Sequence, residues 1–114
     1  MKTWLITAEA PIAGCEEYYV AYSKENPETL PCWNDIVMEI IQELWDNYSW
    51  NLHLDDEEYD SEEERDEAYD QAWEDWKCDC YIYAKKSSKE EIIDNAPGGD
   101  INALDIIYDE RKNN

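Results

Sequence analysis

An apolar stripe between Trp33 and Tyr48 constrains the fold of this chain more than any other feature. Large side chains recur there at i, i+3, i+4, i+7 spacing: Trp33, Ile36, Val37, Ile40, Ile41, Leu44, Trp45 and Tyr48. That repeat lies on one face of an α-helix. Acidic and amide residues take the other face, and Pro31 precedes the segment. The pattern predicts a core helix over 34–48 that lies on a sheet.

Three further segments have the composition and alternation of strands. Residues 3–10 and 16–23 flank a turn with Pro11 and Gly14, which predicts a β-hairpin. Residues 77–85 alternate between small or aliphatic side chains and a tyrosine-bearing face, which predicts a third strand. Residues 103–110 are β-branched enough for an edge strand, with a short helix as the alternative.

Two capping boxes mark the starts of two more helices. Ser61 stands three residues before Glu64, and Ser88 three residues before Glu91. After the first box, helical spacing recurs at Ala68, Tyr69, Ala72, Trp73 and Trp76. This predicts an amphipathic helix over 62–76, and the second box predicts a short helix that ends near Asn95.

These elements predict a single α+β domain over residues 1–114. We expect a small antiparallel sheet of three to four strands, packed by the core helix at 34–48 and flanked by the acidic amphipathic helix at 62–76. Residues 111–114 are expected to fray. A chain of this length can bury one core without disulfide or metal support.

Acidic residues dominate the charge, with 30 Asp and Glu against 9 Lys and Arg and a net charge of −21. Thirteen carboxylates and one arginine lie between Asp55 and Trp76. This balance argues against direct binding to nucleic acid or to an anionic membrane. We also find no membrane-spanning apolar run and no signal peptide, so we expect a cytoplasmic protein with reduced thiols.

The residues that carry chemistry in other proteins do not form a recognisable catalytic or metal-binding motif here. Cys78 and Cys80 would share one face of a strand, and Cys15, Cys32 or His53 could complete a zinc site with them. Buried free cysteines are the favoured interpretation. His53 stands alone in a predicted loop, and the acids at 55–60 lack the spacing of a calcium loop. We expect no enzyme activity, no metal and no cofactor.

The carboxylates of the predicted 62–76 helix are concentrated on one side. Glu63, Glu67, Asp70 and Glu74 lie within about 60° of one another, opposite the aromatic face. Eight acids along ~22 Å of helix give one charge per ~2.8 Å, close to the ~3.4 Å phosphate interval of a DNA strand. Such a surface could occupy a cationic channel built for nucleic acid. A charged helix face that is only solvated remains the alternative.

In size, charge, lack of catalytic motifs and helix-plus-sheet pattern, the chain resembles the small acidic inhibitors that phages and other mobile elements use against host defence. The best-known type is the anti-CRISPR protein that occludes the DNA- or guide-binding surface of a Cas effector. These inhibitors share no common sequence motif, so the resemblance transfers no functional residue. It implies a stoichiometric inhibitor that acts as a nucleic-acid mimic.

The functional prediction is therefore a DNA-mimic inhibitor of a basic nucleic-acid-binding protein, such as a Cas effector or another host nuclease. The alternative is an acidic accessory protein of a mobile element without a mimic role. The predicted partner-binding residues are Glu63, Glu67, Asp70, Glu74, Asp66, Asp55, Asp56, Glu57, Glu58 and Asp60. Trp50, Tyr81 and Tyr83 would serve as interface anchors if exposed, but we expect them in the core.

Overall fold

A four-stranded mixed sheet with three α-helices forms this α+β fold, as a computed structural model shows. The description covers residues 1–113, and at positions 56, 101 and 113 it covers the backbone alone. The strands are β1 (Lys2–Glu9), β2 (Glu16–Ser23), β3 (Tyr81–Lys86) and β4 (Asp105–Asp109). The helices are α1 (Trp33–Tyr48), α2 (Glu62–Asp79) and α3 (Lys89–Asn95).

The order of the sheet is β3-β1-β2-β4, with the predicted hairpin at its centre. Strands β2 and β3 both pair antiparallel with β1. Strand β4 is an edge strand, but it runs parallel to β2 and pairs with a shift in register between Val20 and Ala21. The prediction of a wholly antiparallel sheet was wrong at this strand, because α3 and the segment after it return the chain before β4 begins.

The predicted stripe of α1 packs on one face of the sheet. Ile36, Ile40, Ile41 and Leu44 are buried against β1 and β2, and Trp76 of α2 joins the same cluster. Leu5 and Val20 face the other way, where Ile92, Ala96 and Leu104 cover them. Five consecutive residues of β1 are buried because the central strand is covered on both faces.

Two predicted boundaries change around Lys77. Residues 77–79 continue α2, so β3 begins at Tyr81 rather than at 77. Lys77 lies in the last turn of α2, where a cation suits the negative end of the helix dipole. Cys78 and Cys80 therefore do not share a strand face. Among the residues described, no group of His, Cys, Asp or Glu has metal-binding geometry.

The remaining connections are mostly short 3-10 helices. His53, in the predicted loop, is exposed and links two of them, Ser49–Leu52 and Leu54–Asp56, with a left-handed backbone (φ 53°). At the C-terminus, where we expected fraying over 111–114, Glu110–Asn113 forms a 3-10 helix. Residue 114 lies outside the described residues.

Candidate functional site

The long acidic helix α2 is attached to the rest of the molecule mainly at its C-terminal end. Trp76 is only 2% exposed. The rings of Trp73 and Trp76 meet Trp45 of α1 edge to face, with centroids 5.3 and 5.4 Å apart. Edge-to-face packing of this kind adds stability beyond the area that it buries. The three tryptophans therefore fix the direction in which α2 leaves the sheet.

The N-terminal part of α2 packs much less. All residues from Glu62 to Glu67 are exposed, and in the next turn only Ala68 and Tyr69 are half-buried. The molecule measures 55 × 32 × 19 Å, with a radius of gyration of 16.7 Å, against about 13 Å for a compact domain of this length. The helix is ~27 Å long. Its acidic half thus extends away from the core.

Local hydrogen bonds explain why the helix begins where it does. The side chain of Ser61 accepts a hydrogen bond from the Glu64 backbone amide at 3.2 Å. The Glu64 carboxylate in turn accepts from the Asp60 amide at 3.2 Å. Three acids in the first turn also suit the positive end of the helix dipole. Glu64 therefore contributes to the cap as well as to the charge.

We call Glu63, Glu67, Asp70 and Glu74 the acidic ridge. All four are exposed and lie on the side of α2 away from the tryptophans. Glu74 forms an ion pair with Lys77 at 2.9 Å. Among the side chains that the structure describes, no ion pair involves Glu63, Glu67 or Asp70. The most strongly negative part of the ridge is therefore its N-terminal three-quarters.

Asp66 borders the ridge on one side. Its carboxylate lies 4.0 Å from the Arg65 guanidinium, and both side chains are more than half exposed. A contact this long between exposed groups contributes little to stability. Arg65 therefore neutralises Asp66 only weakly.

Of the predicted partner-binding acids of residues 55–60, Asp55 does not lie on the side of the ridge. The Tyr69 hydroxyl donates a hydrogen bond to the Asp55 carboxylate, which raises the pKa of Tyr69. Tyr69 belongs to the aromatic side of α2, so Asp55 lies away from the ridge. Glu57, Glu58 and Asp60 are exposed. The side chain of Asp56 lies outside the described residues.

A cleft of about 360 Å³ separates this segment from α1. Its lining includes Trp45, Trp50, His53, Asp55 and Tyr69. Trp50 is 68% exposed, with its indole N–H donated to the Asn47 carbonyl at 3.0 Å. The expectation of a core position for Trp50 was therefore wrong. The cleft joins acidic and aromatic side chains beside α2. Its lining also includes Ser49 and Asp46, so His53 shares the cleft with a hydroxyl and two carboxylates.

Sequence patterns missed two features of this site. Lys77 was assigned to a strand, although its position three residues after Glu74 and one after Trp76 also fits a continuing helix. Tyr81 is 60% exposed rather than buried, and its ring lies 5.0 Å from that of Tyr83, which is half-buried. Alternation alone could not reveal which side of β3 would stay uncovered.

Comparisons with protein-family models, with curated proteins and with solved structures find no match for this chain. Among the residues described, no helix combines the length and apolar character needed to cross a bilayer.

Proposed function

We propose that this protein is a stoichiometric, non-enzymatic inhibitor that binds the basic nucleic-acid-binding surface of a partner protein. The acidic ridge is the main contact, and Asp66 and the exposed acids of residues 57–60 add to it. The observation that carries the proposal is the position of these carboxylates on a helix that extends from the core with one acidic side exposed.

Charge density supports mimicry over simple solubility. Glu63, Glu67 and Asp70 follow one another at ~4.5–6 Å along the helix axis, within reach of cations spaced to meet phosphates. Like charges at this spacing weaken a helix. A solubilising surface would gain as much from charges spread over several elements, without this local cost.

A Cas effector or another host nuclease is the kind of partner that the charge pattern fits. Such proteins carry cationic channels that track a phosphate backbone. Binding would release counterions from both surfaces, so the affinity should fall steeply as salt rises.

Capture from a cell lysate tests the proposal. The immobilised protein is compared at low and high salt with a variant that carries Glu63→Lys, Glu67→Lys, Asp70→Lys and Glu74→Lys. We expect a nucleic-acid-binding partner that is lost at high salt and is not captured by the reversed variant. Equal capture by both proteins would refute a role for the ridge, and a salt-insensitive partner would favour the accessory-protein alternative.

A further inference from the structure

A second surface, which differs chemically from the acidic ridge, lies on the sheet face opposite α1. Tyr18, Tyr81 and Tyr83 belong to this tyrosine face, together with Glu9 and Glu16. The register sets Tyr81 and Glu16 on either side of Glu9, and Tyr83 and Tyr18 on either side of Thr7. Two adjacent cross-strand rows thus combine aromatic rings and carboxylates.

This part of the sheet face is only partly covered, and Tyr18 at its border packs against the cluster of Leu5 and Val20. Helix α3 and the segment after it pack over Leu5 and Val20, in the next row along the strands. Tyr81 and Glu16 are exposed, and Tyr18, Tyr83 and Glu9 are half-buried. The face is therefore an accessible extension of a covered one.

One tyrosine and one carboxylate of this face are in direct contact. The Tyr18 hydroxyl donates to Glu16 at 2.7 Å. That bond, aided by burial and by the charges of Glu16, Tyr83 and Glu9, raises the pKa of Tyr18 to about 12. The hydrogen bond holds the Glu16 carboxylate beside the ring of Tyr18.

Elsewhere in the same molecule, a tyrosine ring and a carboxylate together bind an arginine side chain. At the other end of the sheet, Tyr22 and Asp109 are cross-strand neighbours. The Arg111 guanidinium lies 3.5 Å from the centre of the Tyr22 ring and donates two hydrogen bonds of 2.9 Å to Asp109. Stacking on a ring and forked bonding to a carboxylate is the arrangement that a planar guanidinium favours over an ammonium.

The tyrosine face has the same groups without a cation from this chain. Among the residues described, no lysine or arginine lies within ion-pair distance of Glu9 or Glu16. Lys85, the next residue of β3 on this face, lies 3.8 Å from Glu91 of α3. With a net charge of −21, the chain attracts a cationic partner by long-range steering.

We propose that the tyrosine face is a second docking surface, which binds an arginine-bearing segment of a protein partner. Tyr81 and Tyr83 supply the stacking platform, and Glu9 and Glu16 accept the guanidinium hydrogen bonds. The proposal does not depend on the acidic ridge or on its mimicry of nucleic acid.

Two peptides of equal charge test it, one with alternating glycine and arginine and the other with alternating glycine and lysine. Binding of each to the full chain is measured by calorimetry, with aromatic NMR signals as the reporter of position. We expect the arginine peptide to bind about threefold to fivefold more tightly, as stacking on exposed rings predicts, and to shift the signals of Tyr81 and Tyr83.

Variants separate this surface from the ridge. Tyr81→Leu, at an exposed position, should reduce the preference for arginine and leave the affinity for the lysine peptide unchanged. Glu9→Gln should also reduce the preference for arginine. The ridge-neutralised variant carries Glu63→Gln, Glu67→Gln, Asp70→Asn and Glu74→Gln. It should bind both peptides more weakly by the same factor and keep the preference for arginine. Equal affinity for the two peptides, or an unchanged preference in Tyr81→Leu, would overturn the proposal.

Discussion

At the scale of single residues, Trp76 is the anchor on which the position of α2 depends. Its side chain is buried against Trp45, and its indole N–H has no hydrogen-bond partner among the described residues. Replacing Trp76 with Ala should lower the free energy of unfolding by about 3–5 kcal/mol, as for other buried aromatics. Urea denaturation measures this change.

Trp50 is the matched control, since it is the same residue type in an exposed position. Trp50→Ala should cost about 1 kcal/mol or less, because it removes one exposed hydrogen bond and little buried area. Equal losses of unfolding free energy in Trp76→Ala and Trp50→Ala would contradict the attachment of α2 through Trp76.

Tyr19 predicts how stability depends on alkaline pH. It is 3% exposed, and its hydroxyl donates to Glu43 at 2.8 Å. Burial, then the hydrogen bond and charge of Glu43, raise its pKa above the ordinary value of 10.0. As pH rises, Tyr19 therefore loses its proton in the unfolded chain before it does so in the folded chain. The contribution of Tyr19 to the free energy of unfolding is complete below pH 10 and is lost as pH rises above 10.

Tyr18 and Tyr48 act in the same direction, each with a pKa raised to about 12 by a hydrogen bond to a glutamate, Glu16 and Glu17 respectively. Unfolding free energies between about pH 8 and about pH 11.5 should fall for the natural chain and fall less steeply for Tyr19→Phe. Parallel curves for the two proteins would show that Tyr19 does not contribute.

At the scale of elements, the N-terminal caps of α2 and α3 form a matched pair. Each serine accepts a hydrogen bond of 3.2 Å from the amide three residues later. Ser61→Ala and Ser88→Ala should each remove about 1 kcal/mol of local helix stability. The two helices should respond differently, because the first turn of α2 is wholly exposed whereas α3 places Ile92 in the core.

Hydrogen exchange measures that difference. Ser61→Ala should speed exchange at the amides of Glu64 to Glu67 while the free energy of global unfolding changes little. Ser88→Ala should lower global stability. A global loss from Ser61→Ala as large as that from Ser88→Ala would mean that the exposed end of α2 is coupled to the core.

The elements also show what sequence patterns can and cannot predict. The predictions of the apolar stripe of α1, of the hairpin and of both N-terminal caps were correct. They rest on the hydrophobic period, the turn residues and the capping residues, which are local properties of the sequence. The predicted end of α2 was wrong. Residues 77–80 fit both a strand and a helix, and tertiary contacts decide between the two. The predicted direction of β4 was wrong for a related reason, since the direction of this strand depends on the path of the chain through α3.

For the candidate site, helical geometry was sufficient to identify the acidic ridge. It could not reveal that Tyr69 holds Asp55 on the other side of α2, or that Glu74 pairs with Lys77. The alternation of residues 77–85 indicated a face that bears Tyr81 and Tyr83, but it could not show that α3 would cover only part of that side of the sheet. The side chains that a neighbouring element leaves exposed are a property of the whole fold.

At the scale of the whole molecule, self-repulsion should limit stability. A net charge of −21 on 114 residues opposes the compact state. Raising salt from about 0.01 M to about 1 M shortens the Debye length from ~30 to ~3 Å, so the melting temperature should rise by a few degrees. Differential scanning calorimetry measures it, and a melting temperature that is flat or falls with salt would contradict this view.

The central claim is that the ridge occupies a partner's nucleic-acid site through its position and not through bulk charge. A matched control neutralises four exposed acids elsewhere and has the same net charge as the ridge-neutralised variant. Its substitutions are Glu25→Gln, Glu39→Gln, Glu90→Gln and Asp94→Asn.

The most direct test measures how much nucleic acid the captured partner binds as each protein is added in increasing amount. The natural chain and the matched control should abolish nucleic-acid binding at one molecule per partner site, and the ridge-neutralised variant should leave it intact. A partner that keeps its nucleic acid while this protein is bound, or equal loss of inhibition in both variants, would contradict the account.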